Sequence, residues 1–274
     1  MIRDGAILFC YFLPENSVTF IGKFLVIFAW LSVYKVQAEQ VHIAVASNFI
    51  NPMKEIIQVF EQQSKHKVIV SYGSSGKMYA QIYHGAPYQV FFSADQAKAI
   101  ALEKGNLAVK GSRFTYAMGG LVLWSSRDNY FDKELTVLKN NQFTKLALAN
   151  YKLAPYGIAA KQVLTYMGLA KQTQTKWVQG ENIAQTYQFI ESGNADLGFI
   201  ARSQYFQQIK QQQKKGSYWQ VPNNLHQAIA QDVVLLNKGQ ESNGAQALLA
   251  FIKTNTAQEI ILSYGYQSSV TANE

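Results

Sequence analysis

Two strand-to-helix junctions that carry serine place the strongest constraint on the fold of this chain. The first, at Ser47, follows a β-branched apolar run at residues 41–46, and the second, at Ser75, follows a similar run at 68–72. A helix-like segment comes directly after each junction. Such a junction collects free backbone N–H groups, the positive end of a helix and a hydroxyl donor at one point. Each is therefore a candidate anion site that needs no charged side chain.

The same serines also have an ordinary explanation. Serine is common at the start of a helix, where its hydroxyl caps the first turn. A lone example would favour simple capping. Two examples in succession, at corresponding places in two βα units, favour a ligand that both junctions share.

The rest of the chain continues the alternation of short apolar strands and amphipathic helices. This pattern predicts an α/β fold with parallel strands and with helices on both faces of the sheet. A sizeable core is expected, because 48% of the 274 residues are hydrophobic and only 15% are charged. The predicted strands are 41–46, 68–72, 90–93, 120–124, 145–148, 197–200 and 228–236, and the predicted helices are 50–63, 77–84, 157–167, 183–191, 245–254 and 257–264.

We expect two α/β lobes joined by a two-segment hinge, with the ligand cleft between them. The chain would leave the first lobe near Met118 and return to it near Ala228. Lobe I would then comprise residues 39–118 and 228–274, and lobe II residues 119–227. Ligands of open α/β sheets bind beyond the carboxyl ends of the strands, where both serine junctions lie. The cleft is therefore the expected site.

Residues 1–38 have the character of an export signal. A basic residue precedes an apolar run of eleven residues at 24–34, and Ala38 ends a small-residue cleavage site. The run is too short to cross a bilayer comfortably, which favours release into the periplasm over a permanent anchor. Acidic residues such as Asp4 are unusual ahead of such a run, and they leave open a start further downstream, with Val18 as a candidate.

Charge and cysteine content exclude several classes of function. The formal charge is +8, and it falls to about +7 without the leader, which holds three basic and two acidic residues. A basic surface suits nucleic acid, anionic membrane or small anions, but no arginine-rich or zinc-knuckle pattern supports nucleic acid. The single cysteine, Cys10, lies in the leader, which excludes a cysteine nucleophile and a cysteine-ligated metal. Small-anion binding or a merely solvated surface remains.

One segment carries a specific family resemblance. Residues 85–96 read Gly-Ala-Pro-Tyr-Gln-Val-Phe-Phe-Ser-Ala-Asp-Gln. They resemble the Gly-Ala-Pro segment of periplasmic molybdate-binding proteins, the solute receptors of molybdate ABC transporters. The similarity continues through residues 154–157, 181–183 and 197–199 to a terminal Tyr-Gly-Tyr, and it spans about 41–266.

The resemblance implies a type II periplasmic-binding fold whose two lobes close on a dehydrated tetrahedral oxyanion. The implied ligand is molybdate or tungstate, and the implied partner is the membrane permease of an ABC transporter, served by a monomer. In this family, hydroxyls and main-chain N–H groups at helix starts hold the oxyanion without counter-charges. Carried over to this sequence, the resemblance implies hydroxyl contacts from Ser47 and Ser75, and N–H contacts from Tyr156 and Ile183.

One position departs from the family pattern. Many members have a tyrosine where this chain has Ala201. Asn48 could supply an amide donor instead, and Tyr156 adds a side chain where a small residue often stands. Arg202 could also reach the cleft, although an ordinary surface arginine is the favoured interpretation. No cofactor and no metal cation is expected, since the same residues would hold the molybdenum as an oxyanion.

Other classes of function remain as alternatives. A receptor for another tetrahedral oxyanion such as sulfate would use the same donors. Related folds bind ferric ion through tyrosines, and this chain has sixteen, but they lie in apolar periodic segments typical of core packing. An enzyme would need a base beside Ser47 or Ser75, and none of the four histidines lies in a recognisable triad order. An effector-binding module of a regulator shares the fold, but the export signal opposes it.

Overall fold

The computed structural model describes residues 38–212 and 216–268. The predicted export segment therefore lies outside the described residues, apart from its last residue. Within the described part, the chain forms two five-stranded sheets that are covered by helices. None of the helices in this part has the length and apolar character that crossing a bilayer requires.

The first sheet has the strand order β2-β1-β3-β10-β4. β1 pairs in parallel with both of its neighbours, and its central residues are fully buried, as expected for a strand covered on both faces. β10 runs antiparallel to β3 and β4, so the sheet is mixed and the expectation of parallel strands was wrong for this edge. The strands are β1 (Gln40–Ala46), β2 (Lys67–Gly73), β3 (Val90–Phe92), β4 (Phe114–Gly119) and β10 (Ile229–Leu235).

The second sheet has the order β7-β6-β8-β5-β9. β6 pairs in parallel with β7 and β8, whereas β5 runs antiparallel to β8 and β9. β4, β7 and β9 were missed by the sequence pattern, because their exposed or half-buried residues break the apolar runs. The strands are β5 (Leu121–Ser125), β6 (Leu146–Ala149), β7 (Trp177–Gly180), β8 (Leu197–Ala201) and β9 (Ser217–Gln220).

Ten α-helices cover the sheets in the described residues. The predicted helices are all present, and that at Ile183–Glu191 has the predicted ends. Four further helices were not predicted, two of them single turns. The helices are α1 (Ile50–Ser64), α2 (Ser75–Tyr83), α3 (Gln96–Lys104), α4 (Thr136–Lys139), α5 (Pro155–Tyr166), α6 (Ala170–Thr173), α7 (Ile183–Glu191), α8 (Arg202–Lys210), α9 (Asn243–Ile252) and α10 (Asn255–Ser263).

Each sheet has its own hydrophobic core. In the first, Phe49 packs edge-on against Tyr116 with ring centroids 4.8 Å apart, and Phe92 packs against the same tyrosine at 5.5 Å. In the second, Trp124 stacks on Tyr187 at 5.1 Å. Edge-to-face and offset pairs at these separations suit the aromatic quadrupole. The core of the second sheet also takes in Ala46, Ala94 and Ile229 from the side of the first sheet, so the two cores touch beside the segments that connect them.

Two chain segments pass from one sheet to the other. β4 continues into β5 through Gly120, and residues 221–228 lead from β9 back to β10. Backbone hydrogen bonds of 3.0 Å in each direction between Met118 and Gln267 attach the C-terminal segment beside the first passage. This arrangement brings the carboxyl ends of β1 and β2 opposite the starts of α5 and α7.

Candidate functional site

A small cavity of about 10 Å³ lies where the two sheets face each other. Its walls come from the ends of β1 and β2 and from the starts of α2, α5 and α7. No charged side chain is among the lining residues. They are Ala46, Ser47, Asn48, Gly73, Ser74, Ser75, Ala94, Ala154, Pro155, Tyr156 and Ile183.

The first predicted serine lies at the carboxyl end of β1. The chain leaves the strand at Ala46, makes one 3-10 turn over Ser47–Phe49, and continues into α1. Ser47 is only 6% exposed. Its Oγ has no hydrogen-bond partner among the described residues, so the hydroxyl is free to donate into the cavity.

The second predicted serine opens α2. Ser75 Oγ accepts a hydrogen bond of 2.9 Å from the Ala94 N–H, and this leaves its own proton for another acceptor. The N-cap residue is Ser74, whose Oγ accepts from the Lys77 N–H at 3.3 Å. The Gly76 N–H is bonded across the cleft to the Leu153 carbonyl at 2.8 Å. The Ser75 N–H is therefore the one donor of the first turn without a partner in the described residues.

The start of α5 also leaves a single backbone N–H without an acceptor in the described part of the chain. Pro155 occupies the first helical position and has no N–H, as is typical there. The N–H groups of Gly157 and Ile158 both donate to the Ala154 carbonyl, at 2.9 and 3.1 Å. Only the N–H of Tyr156 has no acceptor among the described residues, and Tyr156 lines the cavity.

α7 contributes its first N–H in the same way. The side chain of the N-cap residue, Asn182, accepts from the N–H groups of Ala184 and Gln185 at 3.0 and 3.1 Å. The Thr186 N–H donates to the Asn182 carbonyl at 3.1 Å. The Ile183 N–H is left, and Ile183 is a cavity residue.

Three helices thus each present a single uncommitted N–H at one cavity. Their positive dipole ends converge there, and such ends stabilise negative charge. With the hydroxyls of Ser47 and Ser75, the arrangement consists of neutral donors only. Chemically it can bind a small anion whose oxygens accept hydrogen bonds.

Asn48 lines the cavity, but the structure does not favour the predicted use of its side chain. Its amide nitrogen donates to Gln231 Oε1 at 2.8 Å and to the Tyr266 hydroxyl at 2.9 Å. Both amide protons are therefore committed. That this amide replaces the absent family tyrosine therefore stays a prediction, made for a side chain whose two donors already have partners.

The surroundings of Ala201 also differ from expectation. Ala201 is fully buried and does not line the cavity. Arg202 was expected at the surface, but it is only 8% exposed and packs against Gly120, where an added Cβ would lie 2.8 Å from its Nε. That Nε has no partner among the described residues. Burial lowers the pKa of the Arg202 guanidinium.

The phenols behind the cavity remain protonated near neutral pH. Burial raises the pKa values of Tyr116 and Tyr156 well above their usual range, and it raises the pKa of Tyr266 to about 12. The Tyr156 hydroxyl accepts from Gln231 Nε2 at 3.0 Å. This phenol is therefore a buried neutral group that bonds toward β10.

A roomier groove on another face has a different character. It holds about 650 Å³ between α5 and residues 224–227, and its lining includes Lys161, Tyr166 and His226. No α-helix starts at any of its lining residues. In the described part of the chain, no group of three or more His, Cys, Asp or Glu side chains could hold a metal ion. The small cavity is accordingly the site with converging donors.

Sequence reasoning missed the residues that support the cavity from behind. Gln231 is fully buried and contacts Asn48, Tyr116 and Tyr156 through hydrogen bonds. The available signal was a pair of polar residues, Gln231 and its neighbour, inside an otherwise apolar predicted strand.

The chain matches the sequence profile described as "Bacterial extracellular solute-binding protein" over residues 41–267. That match spans most of the chain and both sheets. The protein belongs to this family. As a family of binding proteins, it agrees with the prediction that the chain is not an enzyme.

Individual relatives are similar over most of their length. The molybdate-binding protein ModA of Azotobacter vinelandii is 49% identical over 230 residues, covering 84% of this chain and 90% of the relative. ModA of Rhodobacter capsulatus is 43% identical over 229 residues, covering 84% and 88%. The solved structure of the Azotobacter vinelandii periplasmic molybdate-binding protein has a TM-score of 0.79 at 38% identity, covering 83% of this chain and 98% of that structure. The predicted resemblance and fold class are confirmed.

Proposed function

We propose that this protein captures molybdate or tungstate outside the cytoplasm and delivers the oxyanion to an ABC transporter. The observation that supports this most directly is the convergence of three single N–H donors, from Ser75, Tyr156 and Ile183, on one uncharged cavity. The relatives named for molybdate binding supply the identity of the anion.

Neutral donors suit such a ligand for a physical reason. An oxyanion that leaves water loses strong hydration, and it binds only if its oxygens find donors in return. Donors fixed at helix starts are already oriented, so little is lost in arranging them. Because no lining side chain is a carboxylate, the cavity offers little to a ligand that must donate a proton, such as hydrogen phosphate. Cavity size then separates molybdate and tungstate from the smaller sulfate.

In this proposal the residues have distinct roles. Ser47 and Ser75 donate hydroxyl protons, and Ser75, Tyr156 and Ile183 donate main-chain N–H groups. Asn48 keeps its predicted place at the site, but it acts by shaping the turn after β1 and does not donate through its amide side chain.

We further propose that the two sheets are the cores of two lobes, comprising residues 39–118 with 228–274, and residues 119–227. Closure would bring them together by contacts such as the Gly76 to Leu153 hydrogen bond and the ion pair of 2.6 Å between Lys77 and Glu181. A hinge with two passages permits such closure while each core stays intact.

The proposed location is the periplasm and the proposed partner is a membrane permease. Membership of an extracellular solute-binding family and the expected export signal support the location. We expect a monomer in solution, which sedimentation of the processed chain would test.

Calorimetric titration of the processed chain tests the ligand. We expect tight binding of molybdate and tungstate, weaker binding of sulfate and phosphate, and none of ferric citrate. Tight binding of sulfate or ferric ion without molybdate binding would overturn the proposal.

Serine variants test the site itself. Ser47→Ala and Ser75→Ala should each weaken molybdate binding by about 1–3 kcal/mol, or about 5- to 150-fold, the scale for a buried charged acceptor that loses a donor. Ser64→Ala is the matched control, because its hydroxyl does not line the cavity and bonds only to neighbouring backbone, donating to the Phe60 carbonyl at 2.7 Å and accepting from the His66 N–H at 3.3 Å. Unchanged affinity in both cavity variants would show that the two junctions are only helix caps.

A further inference from the structure

A buried polar network lies directly behind the cavity and joins residues of both sheets. It contains Gln231, Tyr116 and Tyr266 from the side of the first sheet, and Ser203 from the start of α8 on the side of the second. Ser203, Gln231 and the two tyrosines are each at most 5% exposed. None of the four lines the cavity.

The network fixes the turn that carries Ser47 by holding Asn48 on three sides. The Asn48 carbonyl accepts from Ser203 Oγ at 2.9 Å and from the Tyr266 hydroxyl at 3.0 Å. Its amide nitrogen donates to Gln231 and Tyr266. Tyr266 and Ser203 also lie 3.2 Å apart, oxygen to oxygen. A carbonyl oxygen that faced the anion would repel it, and these donors keep this one turned away.

The same network reaches the opposing wall of the cavity through one glutamine. Gln231 Oε1 accepts from Asn48 and from the Tyr116 hydroxyl at 3.0 Å, while its Nε2 donates to the Tyr156 hydroxyl at 3.0 Å. These partners fix the orientation of the amide, since Asn48 can only donate to it through nitrogen. The Gln231 side chain thus bonds to one cavity residue on each side, Asn48 on that of the first sheet and Tyr156 on that of the second.

Three hydrogen bonds of the network cross from one sheet to the other. Ser203 follows β8 of the second sheet, and its partners Asn48 and Tyr266 belong to the first. Tyr156 lies in α5, which packs on the second sheet, and Gln231 lies in β10 of the first. Lobe opening must break these bonds, whereas bonds within one lobe survive it.

We propose that Ser203, Gln231 and Tyr266 form a closure latch that holds the two lobes together without contacting the ligand. The latch populates the closed form of the empty protein, and it slows escape of the bound anion. These residues are positioning residues. The inference rests on the proposed function only for the identity of the anion, because closure of the empty protein is a separate observable.

Distances between the lobes test the latch in the absence of ligand. The chain without its leader has no cysteine, so spin labels at Lys104→Cys and Lys171→Cys, both exposed, report the separation of the lobes by pulsed electron resonance. We expect the empty protein to show a closed population, and Ser203→Ala and Tyr266→Phe to shift it toward longer distances. An empty protein with no closed population would overturn the proposal.

Molybdate kinetics provide the second readout. In both variants the dissociation rate should rise about 3- to 10-fold, since each loses a bond to or from Ser203 that forms only in the closed form. Ser203→Ala is the cleaner of the two, because Tyr266→Phe also loses bonds to Asn48 within the first lobe. The association rate should stay within about 2-fold, because encounter precedes formation of the latch. A merely structural role would not produce this division between the two rates.

Matched controls carry the same substitutions within one lobe. Ser192 bonds the Gln188 carbonyl inside α7, and Tyr88 bonds Gln81 beside α2. If Ser203→Ala and Tyr266→Phe behave as Ser192→Ala and Tyr88→Phe do in both measurements, the latch is refuted. If the wild type fails to bind molybdate while its empty form still closes through these residues, the ligand assignment fails and the latch stands.

Discussion

Gly76→Ala should strengthen the fold and weaken ligand binding at the same time. Gly76 is the second residue of α2, and alanine favours a helix interior by about 0.5–1 kcal/mol over glycine. In the closed form, however, the new Cβ would lie 2.7 Å from the Leu153 carbonyl oxygen and 3.0 Å from its Cα. Those atoms are backbone, so no side-chain rotation relieves the overlap.

The size of the effect follows from how far the cleft must open. Ordinary contact begins at 3.4 Å, so the two proposed lobes must separate by about 0.7 Å at this point. The 2.8 Å hydrogen bond from the Gly76 N–H to the same carbonyl is then lost. That bond is worth about 0.5–1.5 kcal/mol and the remaining overlap about 1–3 kcal/mol. We expect molybdate affinity to fall by about 1.5–4.5 kcal/mol, or about 10- to 2,000-fold.

Two measurements on the same preparation of Gly76→Ala test this prediction. Calorimetric titration gives the affinity, and thermal unfolding without ligand should show a midpoint about 1–4 °C higher than that of the wild type. Gly105→Ala, at the end of α3 and away from the cleft, is the control and should leave affinity unchanged. An affinity within 3-fold of wild type, or a loss of unliganded stability that matches the loss of affinity, would refute the reasoning.

Three further perturbations have defined outcomes. Gly120→Ala should lower the free energy of unfolding by about 1–3 kcal/mol, because its Cβ would meet the buried Arg202 guanidinium; an unchanged denaturant midpoint would contradict this. The Glu39 carboxylate accepts hydrogen bonds from Ser242 and from a helix N–H, and these bonds lower its pKa below 4.5. They stabilise the fold fully above the pKa that Glu39 has in the unfolded chain, and this stabilisation is lost as pH falls through its pKa in the folded protein. Wild-type stability should therefore fall more steeply in acid than that of Glu39→Gln, and parallel curves would refute the linkage. Because burial keeps the phenols of Tyr156 and Tyr266 protonated, neither should change molybdate affinity between pH 7 and pH 9. A pH dependence of the affinity in this range that Tyr266→Phe abolishes would contradict this.

The sequence was most informative where structure is local. Ser47 and Ser75 were placed by strands and helices immediately next to them, and α7 was predicted with its observed ends because Asn182 is a strong N-cap before an apolar pattern. The same kind of local chemistry leaves one uncommitted backbone N–H at the start of α5 and one at the start of α7. For these elements prediction succeeded because the residues that set them lie within a few positions along the chain, although the helix Gln96–Lys104, with a local N-cap at Asp95, was missed.

Long-range pairing explains the failures. The antiparallel return of β10 depends on contacts with β4, more than a hundred residues away, which no local pattern encodes. α8 was missed because most of its residues are polar, so it lacks the apolar period of a typical surface helix. The acceptors of the Asn48 amide, Gln231 and Tyr266, could not be found from local sequence, because they lie more than 180 positions further along the chain.

The capping groups of α5 and α7 set how many hydrogen bonds a guest can receive. Pro155 supplies no N–H, and the Asn182 side chain occupies two others, so each helix offers one. The donor set can therefore be changed without altering a lining residue: Asn182→Ala would free the N–H groups of Ala184 and Gln185, which follow the lining residue Ile183 but do not themselves line the cavity. Evolution of a new anion preference in this scaffold need not touch any atom that meets the anion.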